Sequence, residues 1–98
     1  MIRQRVVVNG DVQGVGFRYW TKVEADRRGL SGFVRNNDDG SVTVECQGDD
    51  APVASLLEWL KDGPQWARVS GLDVERIDPR VAEPGLPNID GSDFSIEQ

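Results

Sequence analysis

Three glycines within seven residues, Gly10, Gly14 and Gly16, interrupt the chain between a β-branched run and a helix-forming stretch. Neither a strand nor a helix tolerates that density, because glycine loses the most backbone freedom on ordering and brings no side chain to pack. The segment Gly10-Asp11-Val12-Gln13-Gly14-Val15-Gly16-Phe17-Arg18 is therefore a connection. Before it, Arg5-Val6-Val7-Val8-Asn9 reads as a strand buried on both faces; after it, Tyr19 to Arg28 reads as a helix stopped by Gly29. A strand feeding a helix commits the chain to a crossover, which is right-handed when it returns to the same sheet. The loop is also a candidate anion site. Backbone without Cβ atoms can approach a ligand closely, and successive N–H groups at a helix start point outward with the helix dipole behind them. Arg18 adds a fixed positive charge with forked donors.

The rest of the chain supplies the partners of that crossover. The first helix has a thin apolar face, Trp20, Thr21 and Ala25 with help from Phe17 and Leu30, and a wet side of Lys22, Glu24, Asp26, Arg27 and Arg28. Leu30 to Arg35 reads as a second strand, and Asn36-Asn37-Asp38-Asp39-Gly40 as a turn. Val42, Val44 and Cys46 alternate with Thr43, Glu45 and Gln47, the pattern of a half-buried third strand that closes a hairpin. A second helix is expected after Asp50 as its cap, with Pro52 tolerated in the first turn; Val53, Leu56, Leu57 and Leu60 form its stripe, and Gly63-Pro64 ends it. A fourth strand falls between Ala67 and Ile77, with Val69, Leu72, Val74 and Ile77 as its apolar members. The proline-rich stretch Asp78 to Ser92 reads as a long loop. Asp93-Phe94-Ser95-Ile96 reads as a short last strand with Phe94 and Ile96 facing one way. The order β-α-β-β-α-β predicts an α+β, ferredoxin-like sandwich: an antiparallel sheet, two helices on one face and a short extra C-terminal strand.

Composition narrows what such a fold can do. The chain has 98 residues, enough for one domain, and 38% hydrophobic with 29% charged residues suits a folded one. There is no histidine, which removes the commonest general base, metal ligand and nucleophile partner. With Cys46 as the one cysteine, neither an intrachain disulfide nor an N/S zinc site is expected. No apolar run approaches membrane-spanning length, and Met1-Ile2-Arg3-Gln4-Arg5 has no signal-type apolar core, so a cytoplasmic protein with no membrane partner is the expectation. The net charge of −6 divides unevenly: residues 1–35 carry seven basic and three acidic residues, residues 36–98 four basic and fourteen acidic. A basic first third around the loop suits a small anion; the acidic total disfavours nucleic acid. An RNA-binding module of this topology would need exposed aromatics on its central strands, and Ser41-Val42-Thr43-Val44-Glu45 has none.

Gly14-Val15-Gly16 lacks the G-x-G-x-x-G spacing of a dinucleotide fold and the Gly-Lys-Ser/Thr of a P-loop. Taken alone it fits a tight strand-to-helix connection equally well, and Arg18 alone fits a solvated surface arginine. In a β-α-β unit with a third strand inserted between the parallel pair, the end of the second strand lies near the loop after the first. Asn36 is then within reach of what Arg18 holds, and its amide can orient a water without acting as a strong base. Asp38 and Asp39 read as turn carboxylates, Cys46 as a packed thiol, and Trp20, Trp59 and Trp66 as packing residues.

Val12-Gln13-Gly14-Val15-Gly16-Phe17-Arg18, followed by Gly32-Phe33-Val34-Arg35-Asn36, Asp39-Gly40-Ser41-Val42 and the terminal Phe94-Ser95-Ile96, closely resembles the acylphosphatase family over nearly the whole chain. The resemblance implies a single domain over residues 1–98 and a metal-free, cofactor-free enzyme. Its substrate is a small acyl phosphate, and it releases a carboxylate and inorganic phosphate. The resemblance also implies roles. Arg18 matches the phosphate-binding arginine, Asn36 the asparagine that positions the attacking water, and Gln13, Gly14, Val15, Gly16, Phe17 and Arg18 the backbone cradle. A monomer is expected. Two features depart from the family: the end Glu97-Gln98, where many members carry a basic or aromatic residue, and the loop 78–92. The alternatives are a non-catalytic binder of phosphate or acyl phosphate, and a domain of a larger carbamoyl-transferring maturation enzyme.

Overall fold

The computed structural model describes residues 1–78 and 93–97. Its elements are β1 (Ile2–Asp11), α1 (Phe17–Arg27), β2 (Ser31–Asn36), β3 (Val42–Gly48), α2 (Asp50–Asp62), β4 (Arg68–Ile77) and β5 (Phe94–Glu97). The sheet runs β4-β1-β3-β2-β5. β3 lies antiparallel between β1 and β2, and β4 pairs antiparallel with β1, so the first four strands have the expected arrangement. β5 pairs parallel with β2, which makes the complete sheet mixed.

Val6 and Val8 of β1, Val34 of β2 and Val42, Val44 and Cys46 of β3 meet Phe17 and Ala25 of α1 and Val53, Leu56 and Leu60 of α2 in one buried cluster. Each large apolar side chain removed from water there contributes roughly 1.5–3 kcal/mol, which fastens both helices to one face of the sheet. Among the described residues no helix is long and apolar enough to cross a membrane.

Several expectations need correction. α1 begins at Phe17, not Tyr19, so its buried row is Phe17, Thr21 and Ala25, and Trp20 turns outward at 47% exposure. In β1, Val6 and Val8 are fully buried but Val7 only half so. β3 is buried along its whole length rather than on one face, because it is the central strand and Arg5 donates to the buried Glu45 carboxylate at 3.0 Å. Asp49, not Asp50, occupies the N-cap position of α2, with no side-chain cap bond. In β4, Leu72 and Val74 lie opposite Val8 and Val6, whereas Ile77 lies opposite Arg3 and thus on the other face; Val74, on the sheet edge, is half exposed. Phe94 and Ile96 are two apart in β5 and share a face as expected, but Phe94 is buried while Ile96 is 41% exposed. The expected loop over 78–92 falls almost wholly outside the described residues.

Candidate active site

β1 ends at Asp11, and the chain turns through Gln13–Gly16 into α1. Gly14 and Gly16 both take left-handed conformations, with φ of +78° and +75°. A Cβ on Gly14 would meet nothing within 4 Å, so backbone conformation rather than space demands glycine there. Gly16 is the N-cap of α1, and the Trp20 N–H donates to its carbonyl at 3.0 Å as the first helical bond. With glycine at the N-cap and no side-chain cap bond, the free N–H groups of the first turn stay open. No acidic residue occupies that turn, so nothing in it competes with an external anion for the positive end of the dipole.

A cavity of about 220 Å³ lies at this helix start, lined by Val12, Gly14, Gly16, Phe17, Arg18, Tyr19, Asn36 and Ile96. It brings together four residues of the loop with Asn36, which reaches it from the end of β2 because β3 alone separates β2 from β1. Arg18 is half-buried and donates through Nη1 to the Glu97 carbonyl at 2.9 Å, so β5 fixes the guanidinium at the cavity rim. Lys22, one turn later, donates to the Phe94 carbonyl of the same strand at 2.7 Å. The Asn36 carbonyl oxygen Oδ1 is buried and has no partner among the described residues. The terminal torsion of an asparagine is roughly two-fold, so rotation exchanges an acceptor for an NH₂ donor at this wall.

Two expected cradle residues do not line the cavity. Val15 is half-buried and packs against the core cluster. Gln13 sends its carboxamide to the β2–β3 turn, where Nε2 donates to the carbonyls of Asn37 at 2.7 Å and Ser41 at 2.9 Å. Sequence reasoning missed this second function of Gln13, and also Tyr19, Ile96 and the Glu97 carbonyl. The available signal was a glutamine with two N–H donors beside a loop that has few side chains to anchor it. The turn is braced from within: Asn37 Nδ2 donates to the hydroxyls of Ser41 at 3.0 Å and Thr43 at 2.8 Å. Asp39 Oδ1 accepts from the Ser41 hydroxyl at 2.6 Å and N–H at 2.9 Å, and these bonds hold its carboxyl below the usual range. Cys46 is buried in the core and its thiol is pushed up to about 12 by desolvation, so it is no nucleophile.

A sequence profile of the family described as Acylphosphatase matches residues 4–96. An acylphosphatase of Geobacillus thermodenitrificans is 46% identical over 83 residues, 85% of this chain and 88% of that protein. One of Geobacillus kaustophilus is 42% identical over 94 residues, 96% of this chain and 100% of the relative. The crystal structure of acylphosphatase from Bacillus subtilis superposes with a TM-score of 0.84 at 36% identity, covering 100% of both chains.

Proposed function

This chain belongs to the acylphosphatase family, and from that premise we propose that it hydrolyses the carboxyl–phosphate bond of small acyl phosphates. In this reading the phosphoryl group sits in the cavity at the start of α1. The loop amides and the Arg18 guanidinium bind its oxygens, and the Asn36 carboxamide orients the attacking water. The observation that carries the reading is the convergence of Gly14, Gly16, Arg18 and Asn36 on one cavity of about 220 Å³. All of these groups come from one chain, so the reading needs no second copy.

The chemistry fits the residues present. Water forms a new P–O bond while the bond to the acyl oxygen breaks, and the electron pair leaves on the carboxylate. A carboxylate needs no proton to depart near neutral pH, so the absence of histidine is no obstacle. A loose phosphoryl-transfer transition state spreads charge over the equatorial oxygens. Amides preorganised at a helix start and a fixed guanidinium stabilise that charge without metal or cofactor. The proton of the water ends on a phosphate oxygen or in solvent.

The test is hydrolysis of benzoyl phosphate with EDTA present, using Arg18→Ala as control. The reading expects EDTA-insensitive turnover that falls by on the order of 10³-fold in the variant. Loss of rate in EDTA would refute the metal-free mechanism, and near-normal turnover of the variant would refute the assignment of Arg18. Phosphate binding without any turnover would leave the non-catalytic binder.

A further inference from the structure

Gln13 sits beside the cavity without lining it, and its carboxamide reaches across to the β2–β3 turn next to Asn36. Nε2 donates to Asn37 O at 2.7 Å and to Ser41 O at 2.9 Å. Those carbonyls are the two ends of the β2–β3 turn: Asn37 O also accepts from the Gly40 N–H, and Ser41 O from the Asn37 N–H. The carboxamide thus closes over the neck of the turn from the loop side. Asn36 is the residue immediately before that neck and is paired with Val42 in the β2–β3 ladder. On the other side, Gly14 follows Gln13 directly and has no atom near enough to support a side chain. The loop and the turn therefore meet through Gln13.

We propose that Gln13 is a positioning residue, which sets the separation between the loop amides and the Asn36 carboxamide. The proposal rests on the reading that the loop holds the phosphoryl group and Asn36 the water. In-line attack depends steeply on that separation, since a misplacement on the order of 1 Å can cost about 10²-fold in rate. Binding of phosphate itself depends on the loop and Arg18 and is far less sensitive to where Asn36 stands.

The experiment uses Gln13→Met, which keeps length and volume and removes both donors. Benzoyl phosphate turnover and competitive inhibition by inorganic phosphate are measured in the wild type, Gln13→Met, Asn36→Ala and the double variant. We expect kcat of Gln13→Met to fall by roughly 10- to 100-fold, with the phosphate inhibition constant changed less than about threefold. In the Asn36→Ala background the same substitution should do little more to kcat, because nothing remains to be positioned. Equal loss of turnover and phosphate affinity, or full multiplication of the two effects on kcat, would overturn the proposal in favour of a general loop-stabilising role. Unchanged kcat would overturn it outright. A wild type without turnover would instead remove the enzymatic reading, and an Asn36→Ala variant of normal kcat would remove the water-positioning role on which the proposal rests. Circular dichroism and a thermal melt on each variant establish that a folded protein was assayed.

Discussion

Asn36→Ala should abolish turnover while leaving the fold as stable as before or more so. The buried Oδ1 of Asn36 has no partner among the described residues. Leaving a buried acceptor unpaired costs about 1–3 kcal/mol. Truncation to alanine removes that cost and sacrifices little apolar contact. Asparagine and alanine are both disfavoured on a strand, so β-propensity changes the balance little. Water in the cavity recovers part of that cost, so the net lies between about 0 and 2 kcal/mol in favour of the variant. In a domain of this size, about 1 kcal/mol moves Tm by ~4–8 °C, so a thermal melt should show no decrease. In the same variant kcat on benzoyl phosphate should drop by on the order of 10²-fold or more, since the water loses its orienting group. Inhibition by inorganic phosphate should stay within about threefold of wild type, because the loop and Arg18 are untouched. The combination is diagnostic. A turn asparagine kept for structure would show the reverse: a lower Tm with turnover reduced only in proportion to unfolding. That outcome would refute the reasoning, as would loss of phosphate inhibition, which would make Asn36 a phosphate ligand.

Three further outcomes are expected. The Cys46 thiol, buried and pushed up to about 12, should not react with a thiol reagent in the native protein at pH 8 and should react promptly in denaturant; fast native labelling would contradict its burial. Gly32→Ala should prevent folding, because its Cβ would collide with the Glu45 carbonyl oxygen between two inner strands; a normal melt for that variant would refute the β2–β3 pairing. Asp39 has its carboxyl held below the ordinary value of 3.8 by the two Ser41 bonds. Its contribution is therefore present at neutral pH and lost as the pH falls through the lowered value, so the stability gap between wild type and Asp39→Asn should narrow under strongly acidic conditions and be constant from pH 6 to 8.

The elements that sequence made legible are those whose signals are local. The stripe Val53, Leu56, Leu57 and Leu60 defines α2 without reference to any other part of the chain, and the turn Asn36–Gly40 defines the hairpin. The errors lie where a boundary or a partner decides. Starting α1 two residues late leaves Phe17 outside the helix and keeps Trp20 on its apolar face, whereas the row Phe17, Thr21 and Ala25 is the buried one. The alternation of β3 describes its two faces correctly, but Thr43, Glu45 and Gln47 are buried because of strands on both sides, which alternation cannot report. Of the site, Arg18 and the glycines stand out within one short loop. The Gln13 bonds join residues 24 and 28 positions apart and exist only once β1 and β2 are both aligned on β3.

The two helix starts differ in what they offer an anion, which is why the proposed site lies at the start of α1. Both begin with orphan N–H groups and a positive dipole end, so geometry alone does not distinguish them. α2 starts at Asp49 and Asp50, carboxylates that repel a second anion. α1 starts at Gly16 and carries Arg18 in its first turn with no acid there. This local contrast matters more than the overall charge of −6, because at physiological salt a charge beyond about 8 Å is largely screened, whereas the amides and Arg18 act at contact. An acidic total charge is therefore compatible with the anion site proposed at the start of α1. It follows that Gly16→Asp, which would put a carboxylate at that helix start, should weaken phosphate binding far more than the same charge added at an exposed position of β4 such as Ser70. Equal effects of Gly16→Asp and Ser70→Asp on phosphate inhibition would show that net charge, and not the open helix start, governs the site.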